Sequence, residues 1–164
     1  MDGRDVAVMI LDKPFNFDDY VRPACLPAIN WTSNTYFKGG IMVASGMGRI
    51  DNLHRTTELK LASIQMLTKD ECRGHPWVKY YFKGKEFILY YDIDILLDGM
   101  ICGGLTMDTC RGDSGGPIIA NINGQFTLIG ITSFGQEDGC GSKVPHLYTD
   151  VSYPDIRKFI NSVN

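Results

Sequence analysis

Turn residues cut this chain into short apolar runs, and that punctuation limits it to folds built from short strands. Val6-Ala7-Val8-Met9-Ile10-Leu11 has the length of a buried strand and is closed by Lys13-Pro14. Arg22 to Pro27 is a proline-bounded connection, and Ile41 to Ala44 is a short run ending in Ser45-Gly46-Met47-Gly48. Leu59 to Leu67 is a further strand candidate with Leu59, Leu61 and Ser63 on one face. Pro117 to Ala120, Phe126 to Ser133 and Leu147 to Val151 complete the series. Many short strands with turns between them predict an antiparallel barrel or sandwich. The C-terminus changes period: Ile156, Phe159, Ile160 and Val163 recur at helical spacing. Ser152 and Asp155 predict a capping box there, with Pro154 in the tolerated first turn.

At 164 residues the chain suits one domain with a sizeable core. A formal net charge of -3 with no Lys/Arg run argues against a nucleic-acid or membrane-surface partner. No apolar stretch approaches the ~20 residues of a membrane-spanning helix. His75 to Asp98 is the one stretch of odd composition, crowded with Trp77, Tyr80, Tyr81, Phe82, Phe87, Tyr90 and Tyr91. It reads as a hydrophobic hairpin, as a substrate-facing loop, or as sequence foreign to the fold.

The five cysteines, Cys25, Cys72, Cys102, Cys110 and Cys140, form no C-x-x-C pair, which disfavours a zinc ribbon or a redox motif. If four pair internally, one is left for a partner outside the chain. Asn30-Trp31-Thr32 is a glycosylation sequon in an expected loop. Together these features point to a secreted, oxidising setting. The start, Met1-Asp2-Gly3-Arg4-Asp5, is acidic and has no cleavage site, so it is not a signal peptide. The expectation is a piece of a longer precursor.

Asp108-Thr109-Cys110-Arg111-Gly112-Asp113-Ser114-Gly115-Gly116-Pro117 is the most specific stretch. A serine hydroxyl is a poor nucleophile until a base takes its proton. It must also lie where backbone N–H groups can hold a developing oxyanion, and flanking glycines leave those groups exposed. Gly112 and Ser114 are placed to donate them. No Lys-Ser/Thr follows the glycines, so a phosphate-binding loop is disfavoured. A nucleophile elbow is disfavoured too, because Pro117-Ile118-Ile119-Ala120 reads as a strand where an elbow needs a helix.

Gly-Asp-Ser-Gly-Gly-Pro with an aspartate six residues before the serine resembles the chymotrypsin/trypsin family. Asp5-Val6-Ala7-Val8-Met9-Ile10 resembles the strand that begins with its triad aspartate. Arg22-Pro23-Ala24-Cys25-Leu26-Pro27 resembles the connection between its two barrels. Ser45-Gly46-Met47-Gly48 resembles its Gly-Trp-Gly turn, and Met100 to Gly104 and Ser133-Phe134-Gly135 also match. The resemblance implies an all-β fold: a complete second antiparallel barrel, only part of the first, and a C-terminal α-helix. Residues 1–20 would be the remnant of the first barrel, 21–37 the connection, 38–151 the second barrel with an insertion at 75–98, and 152–164 the terminal helix.

By the same resemblance, Ser114 is the nucleophile and Asp5 orients the catalytic histidine. The N–H groups of Gly112 and Ser114 form the oxyanion hole. Asp108 lies at the base of the specificity pocket, where it pairs with a substrate Arg or Lys. Ser133, Phe134 and Gly135 line the strand that receives the substrate backbone. Cys72 pairs with Cys102 and Cys110 with Cys140, while Cys25 links to an upstream chain or prodomain. A family bridge is absent as a pair, with Met42 and Ala120 at its two positions. The implied partner is a protein or peptide substrate; no cofactor and no metal are expected.

The resemblance also sets expectations about what this stretch lacks. The family's Thr-Ala-Ala-His-Cys does not occur, and the three histidines, His54, His75 and His146, stand in other contexts. The base is therefore expected from an upstream segment, with this chain alone inactive and its full-length parent a serine endopeptidase. The competing expectation is a non-catalytic homologue that uses the barrel as a binding or regulatory module. Asp113, the acid beside the nucleophile, is expected to lack its usual cation and so to disorder the loops around it. His146 stands where the family has a pocket-lining glycine. It is expected to fill the pocket, contact Asp108 and weaken binding of Arg or Lys, unless its loop shifts it toward solvent.

Overall fold

The computed structural model describes residues 4–28, 40–51, 54–73, 79–82, 85–88, 98–104, 107–135, 140–141 and 144–163, with the backbone alone for 79–82 and 85–88. Asn30, His75 and most of the 75–98 stretch lie outside the described residues. Six strands make the body of the fold: β1 (Ile41–Gly46), β2 (Lys60–Leu67), β5 (Met100–Gly103), β6 (Pro117–Ile122), β7 (Gln125–Phe134) and β8 (His146–Asp150). They close an antiparallel barrel in the order β1-β2-β5-β8-β7-β6. Closure leaves this sheet no free edge.

Alternation along the strands builds the core. Met42 and Ala44 of β1 point inward, opposite Ile64 and Ala62 of β2. Ile64 and Met66 are buried while Leu61 is 70% exposed, so Leu59, Leu61 and Ser63 share the outer face. Ile101, Ile118, Ile129 and Tyr148 complete the core cluster. Ala120 and Met42 belong to it as well, so apolar packing fills both positions of the absent bridge. The β6–β7 hairpin turns at Asn123-Gly124, where φ is 52° and 85°. Two successive residues at positive φ match the twist of the strands they join.

Two short helices flank the barrel. α1 (Lys69–Arg73) follows β2 and carries Cys72, which is bridged to Cys102 of β5. Its start is a capping box that the sequence reading passed over. Thr68 N–H donates to Glu71 Oε2 at 2.7 Å, and Glu71 N–H donates to Thr68 Oγ1 at 3.1 Å. The predicted box at Ser152 and Asp155 does not form. α2 (Pro154–Ser162) begins after Tyr153, which makes no side-chain cap bond. Ser152 turns back instead, donating its N–H and hydroxyl to Asp150 Oδ1 at 2.8 and 2.5 Å. The residue one place before the cap is thus engaged in the turn that leaves β8. Ile156 is buried at the helix contact.

Val6 to Leu11 is not a strand. Met9 is 86% and Ile10 81% exposed, and among the described residues nothing forms a ladder with this run. β-propensity reports fit to a pleated, half-buried surface, and here no pairing surface is present. A bridge lies further on, between Cys25 and Thr127 of β7. Within 75–98, β3 (Lys79–Phe82) and β4 (Lys85–Ile88) pair antiparallel, Lys79 against Ile88, as a sheet separate from the barrel.

Candidate active site

The loop from Cys110 to Gly116 is folded by its own backbone. Asp113 N–H donates to Cys110 O at 2.9 Å and Gly116 N–H to Asp113 O at 2.8 Å. Gly112 and Gly115 hold φ of 103° and 79°, which residues with a side chain rarely adopt. Two bonds seat the loop on β7: Gly115 N–H donates to Thr132 O at 2.8 Å, and Thr132 N–H to Gly116 O at 2.9 Å. Ser114 is left exposed. Among the described residues, the N–H groups of Gly112 and Ser114 have no acceptor.

Asp113 departs from expectation. It is half-buried and its carboxylate is held by neutral donors: Oδ1 accepts from Gly48 N–H at 2.8 Å and Oδ2 from Cys110 N–H at 2.9 Å. Two backbone N–H groups stabilise a carboxylate without a full counter-charge. In place of a cation, these two donors tie the carboxylate to the loop and to Gly48. The glycines of Ser45-Gly46-Met47-Gly48 make this possible. A Cβ at Gly46 would lie 2.0 Å from Asp113 Oδ1, and one at Gly48 would lie 2.5 Å from it. The Gly-x-Gly spacing was the signal for this contact, but nothing local to it names its partner. A cavity of about 240 Å³ opens beside the carboxylate, lined by Gly48, Ile50, Leu61, Met107 and Asp108.

Asp5 reaches the same end of β7. Ser133 Oγ donates to Asp5 Oδ2 at 2.7 Å, and Thr149 Oγ1 donates to the Asp5 carbonyl at 2.7 Å. Ser133 is the next residue after Thr132, which seats the Ser114 loop. The register of β7 against β8 shifts between Thr132 and Phe134, a bulge of the kind that re-aims side chains. The structure therefore brings Asp5 and the Ser114 loop to neighbouring positions on one strand. Thr149 was not anticipated as a partner of Asp5.

Asp108, Thr109 and Gly135 surround the ring of His146. The side chains of His146 and Asp108 are 6% and 7% exposed, with His146 Nε2 3.5 Å from Asp108 Oδ2. The other ring nitrogen, Nδ1, lies 3.4 Å from Thr109 Oγ1. The ring lies flat against Gly135, where a Cβ would come within 2.6 Å of it. Gly141 N–H donates to both oxygens of Asp108 at 3.1 Å. Burial holds the imidazole below its usual 6.5, and the Asp108 charge opposes that shift. Tyr148, two residues further on β8, is fully buried, which pushes its hydroxyl well above the usual phenol range. The Cys110–Cys140 bridge ties the pocket's two sides together.

The described histidines are both engaged away from Ser114. His146 faces Asp108, and exposed His54 lies 2.8 Å from Asp51 through Nδ1. Cys25 is exposed and unpaired among the described residues, with its N–H and carbonyl bonded to Phe126 and Leu128 of β7. Phe134 pairs with Leu147 across the bulge, half-buried beside Ser133 and Gly135.

Known proteins resemble this chain over most of its length. The family model for trypsin matches residues 1–160. A tryptase of Mus musculus is 33% identical over 157 residues, covering 93% of this chain and 53% of that protein. Coagulation factor IX of Cavia porcellus is 31% identical over 155 residues, covering 92% of this chain and 48% of its own length. Urokinase-type plasminogen activator of Gallus gallus is 32% identical over 140 residues, 82% of this chain and 28% of its own. The chain thus spans about half or less of these relatives. A match this long, over a closed six-stranded barrel with its serine loop seated on β7, means that the chain belongs to the trypsin family.

Proposed function

We propose that this chain supplies the nucleophile, the oxyanion donors and the primary pocket of a secreted serine endopeptidase. The observation that carries the reading is the convergence on β7, where Ser133 binds Asp5 and adjacent Thr132 seats the Ser114 loop. An imidazole held by Asp5 would take the Ser114 proton as the hydroxyl attacks a peptide carbonyl. The N–H groups of Gly112 and Ser114 would hold the oxyanion, and the acyl-enzyme would then be hydrolysed. Asp108 is the group that would pair with a substrate Arg or Lys. By the resemblance, the usual partner of Asp113 is the α-amine of a new N-terminus, the cation that the two N–H donors stand in for here. Two disulfides fit an oxidising compartment, and Cys25 is the thiol available to a disulfide-linked N-terminal chain or prodomain.

Neither described histidine is placed toward Ser114, and we infer that residues 1–164 alone give no Ser114-dependent turnover. The test is hydrolysis of an arginyl amide by this chain alone and by the chain joined to a histidine-bearing first barrel of a family member. Turnover only in the joined form, abolished by Ser114→Ala and by Asp5→Asn, supports the reading. Robust Ser114-dependent turnover by the isolated chain overturns the inactivity, and no turnover in either folded form, nor in the joined form carrying His146→Gly, overturns the endopeptidase. A second reading, a non-catalytic homologue used as a binding module, is favoured by one observation: buried His146 Nε2 lies 3.5 Å from Asp108 Oδ2.

A further inference from the structure

The pocket carries its own occupant. Asp108 is an acid with a 7% exposed side chain, and its Oδ2, which also accepts from Gly141 N–H, faces an imidazole carried by β8. The position is fixed on three sides. β8 supplies the ring, Gly135 leaves room for it to lie against the β7 wall, and Thr109 Oγ1 meets its other nitrogen. His146 Nε2 is wholly buried and makes no hydrogen bond among the described residues. A donor so placed is suited to pair with the carboxylate beside it. The ring occupies the space along Gly135, so a side chain entering by that wall meets it first.

We propose that His146 is a specificity-determining plug: its imidazole takes the place of a substrate cation against Asp108 and closes the pocket to Arg and Lys side chains. This rests on the reading of Asp108 as the base of the primary pocket. A basic side chain enters only when the ring swings out, so its binding is lowered by the cost of opening. Three consequences follow. Removing the ring uncovers a buried carboxylate in a slot shaped for a planar group. The uncovered slot prefers a planar cation to its uncharged analogue. Removing the carboxylate from the opened slot cancels that preference.

The probe is benzamidinium, a planar aromatic cation, titrated by calorimetry into the wild-type chain, His146→Gly, and His146→Gly with Asp108→Asn, each checked for folding by circular dichroism. His146→Gly is expected to bind roughly a hundredfold more tightly than the wild type, and the added Asp108→Asn to remove that gain. Equal binding by wild type and His146→Gly overturns the plug and leaves the pocket assignment standing. Absence of binding to folded His146→Gly overturns the pocket assignment and the plug with it. Should the glycine variant not fold, the ring's titration in the wild-type background decides. Asp108→Asn removes the one charge that opposes burial, so the His146 Cε1 proton resonance should titrate at still lower pH. An unchanged titration overturns the contact.

Discussion

The barrel and the segment from Arg4 to Ala28 have similar apolar content and opposite fates. In β2, Ile64 and Met66 are at most 1% exposed; in the segment, Met9 and Ile10 are more than 80% exposed. Side-chain chemistry does not separate them, since both runs are of strand length and strand composition. What separates them is a partner on each side: β2 pairs with β1 and β5, while the segment touches the barrel through polar and backbone atoms at Asp5 and Cys25. Closure of a ladder, more than the propensity of any run, decides where apolar surface is buried.

That contrast can be broken most sharply at the core. Ile64→Ala should lower stability by about 2–5 kcal/mol in denaturant titration, because a closed barrel relaxes little around a cavity. Replacing Cys110 and Cys140 together with serine should cost about 2–4 kcal/mol, read as a lower melting temperature under oxidising conditions. Asp113→Ala should cost about 1–3 kcal/mol, since it strands the N–H groups of Gly48 and Cys110. A smaller effect belongs to pH. Because burial lowers the His146 pKa, the unfolded chain takes up that proton first as pH falls. The contribution is complete above pH 6.5 and is lost progressively below it. Thermal melts of His146→Gln should lack this part of the acid slope. The smallest change is outside the barrel: Ile10→Ser should shift stability by no more than about 0.5 kcal/mol. A loss as large as that of Ile64→Ala would mean the segment is packed after all.

Locally written features were legible and distant ones were not. β1, β6, β7 and β8 could be read because each is a short apolar run bounded by its own turn. The loop around Ser114 was legible for the same reason, its glycines serving a backbone path that closes within seven residues, Cys110 to Gly116. Asp113 was misread because its donor Gly48 lies 65 residues away. The cap of α2 was misplaced because Ser152 had a nearer acceptor in Asp150, while Thr68 and Glu71 head a helix too short to show a period. At position 146 the residue type announced a departure. Its direction depended on Gly135 leaving space across the strand pair.

Because the Ser114 loop is fastened to β7 through main-chain atoms of Thr132, and Asp5 through the hydroxyl of the very next residue, the spacing between acid and nucleophile is counted in residues. Replacing the Thr132 side chain leaves both anchors standing. Inserting or deleting a single residue there slides one anchor past the other and turns the following side chain to the opposite face. The strand works as a ruler, tolerant of new lettering and intolerant of a lost division.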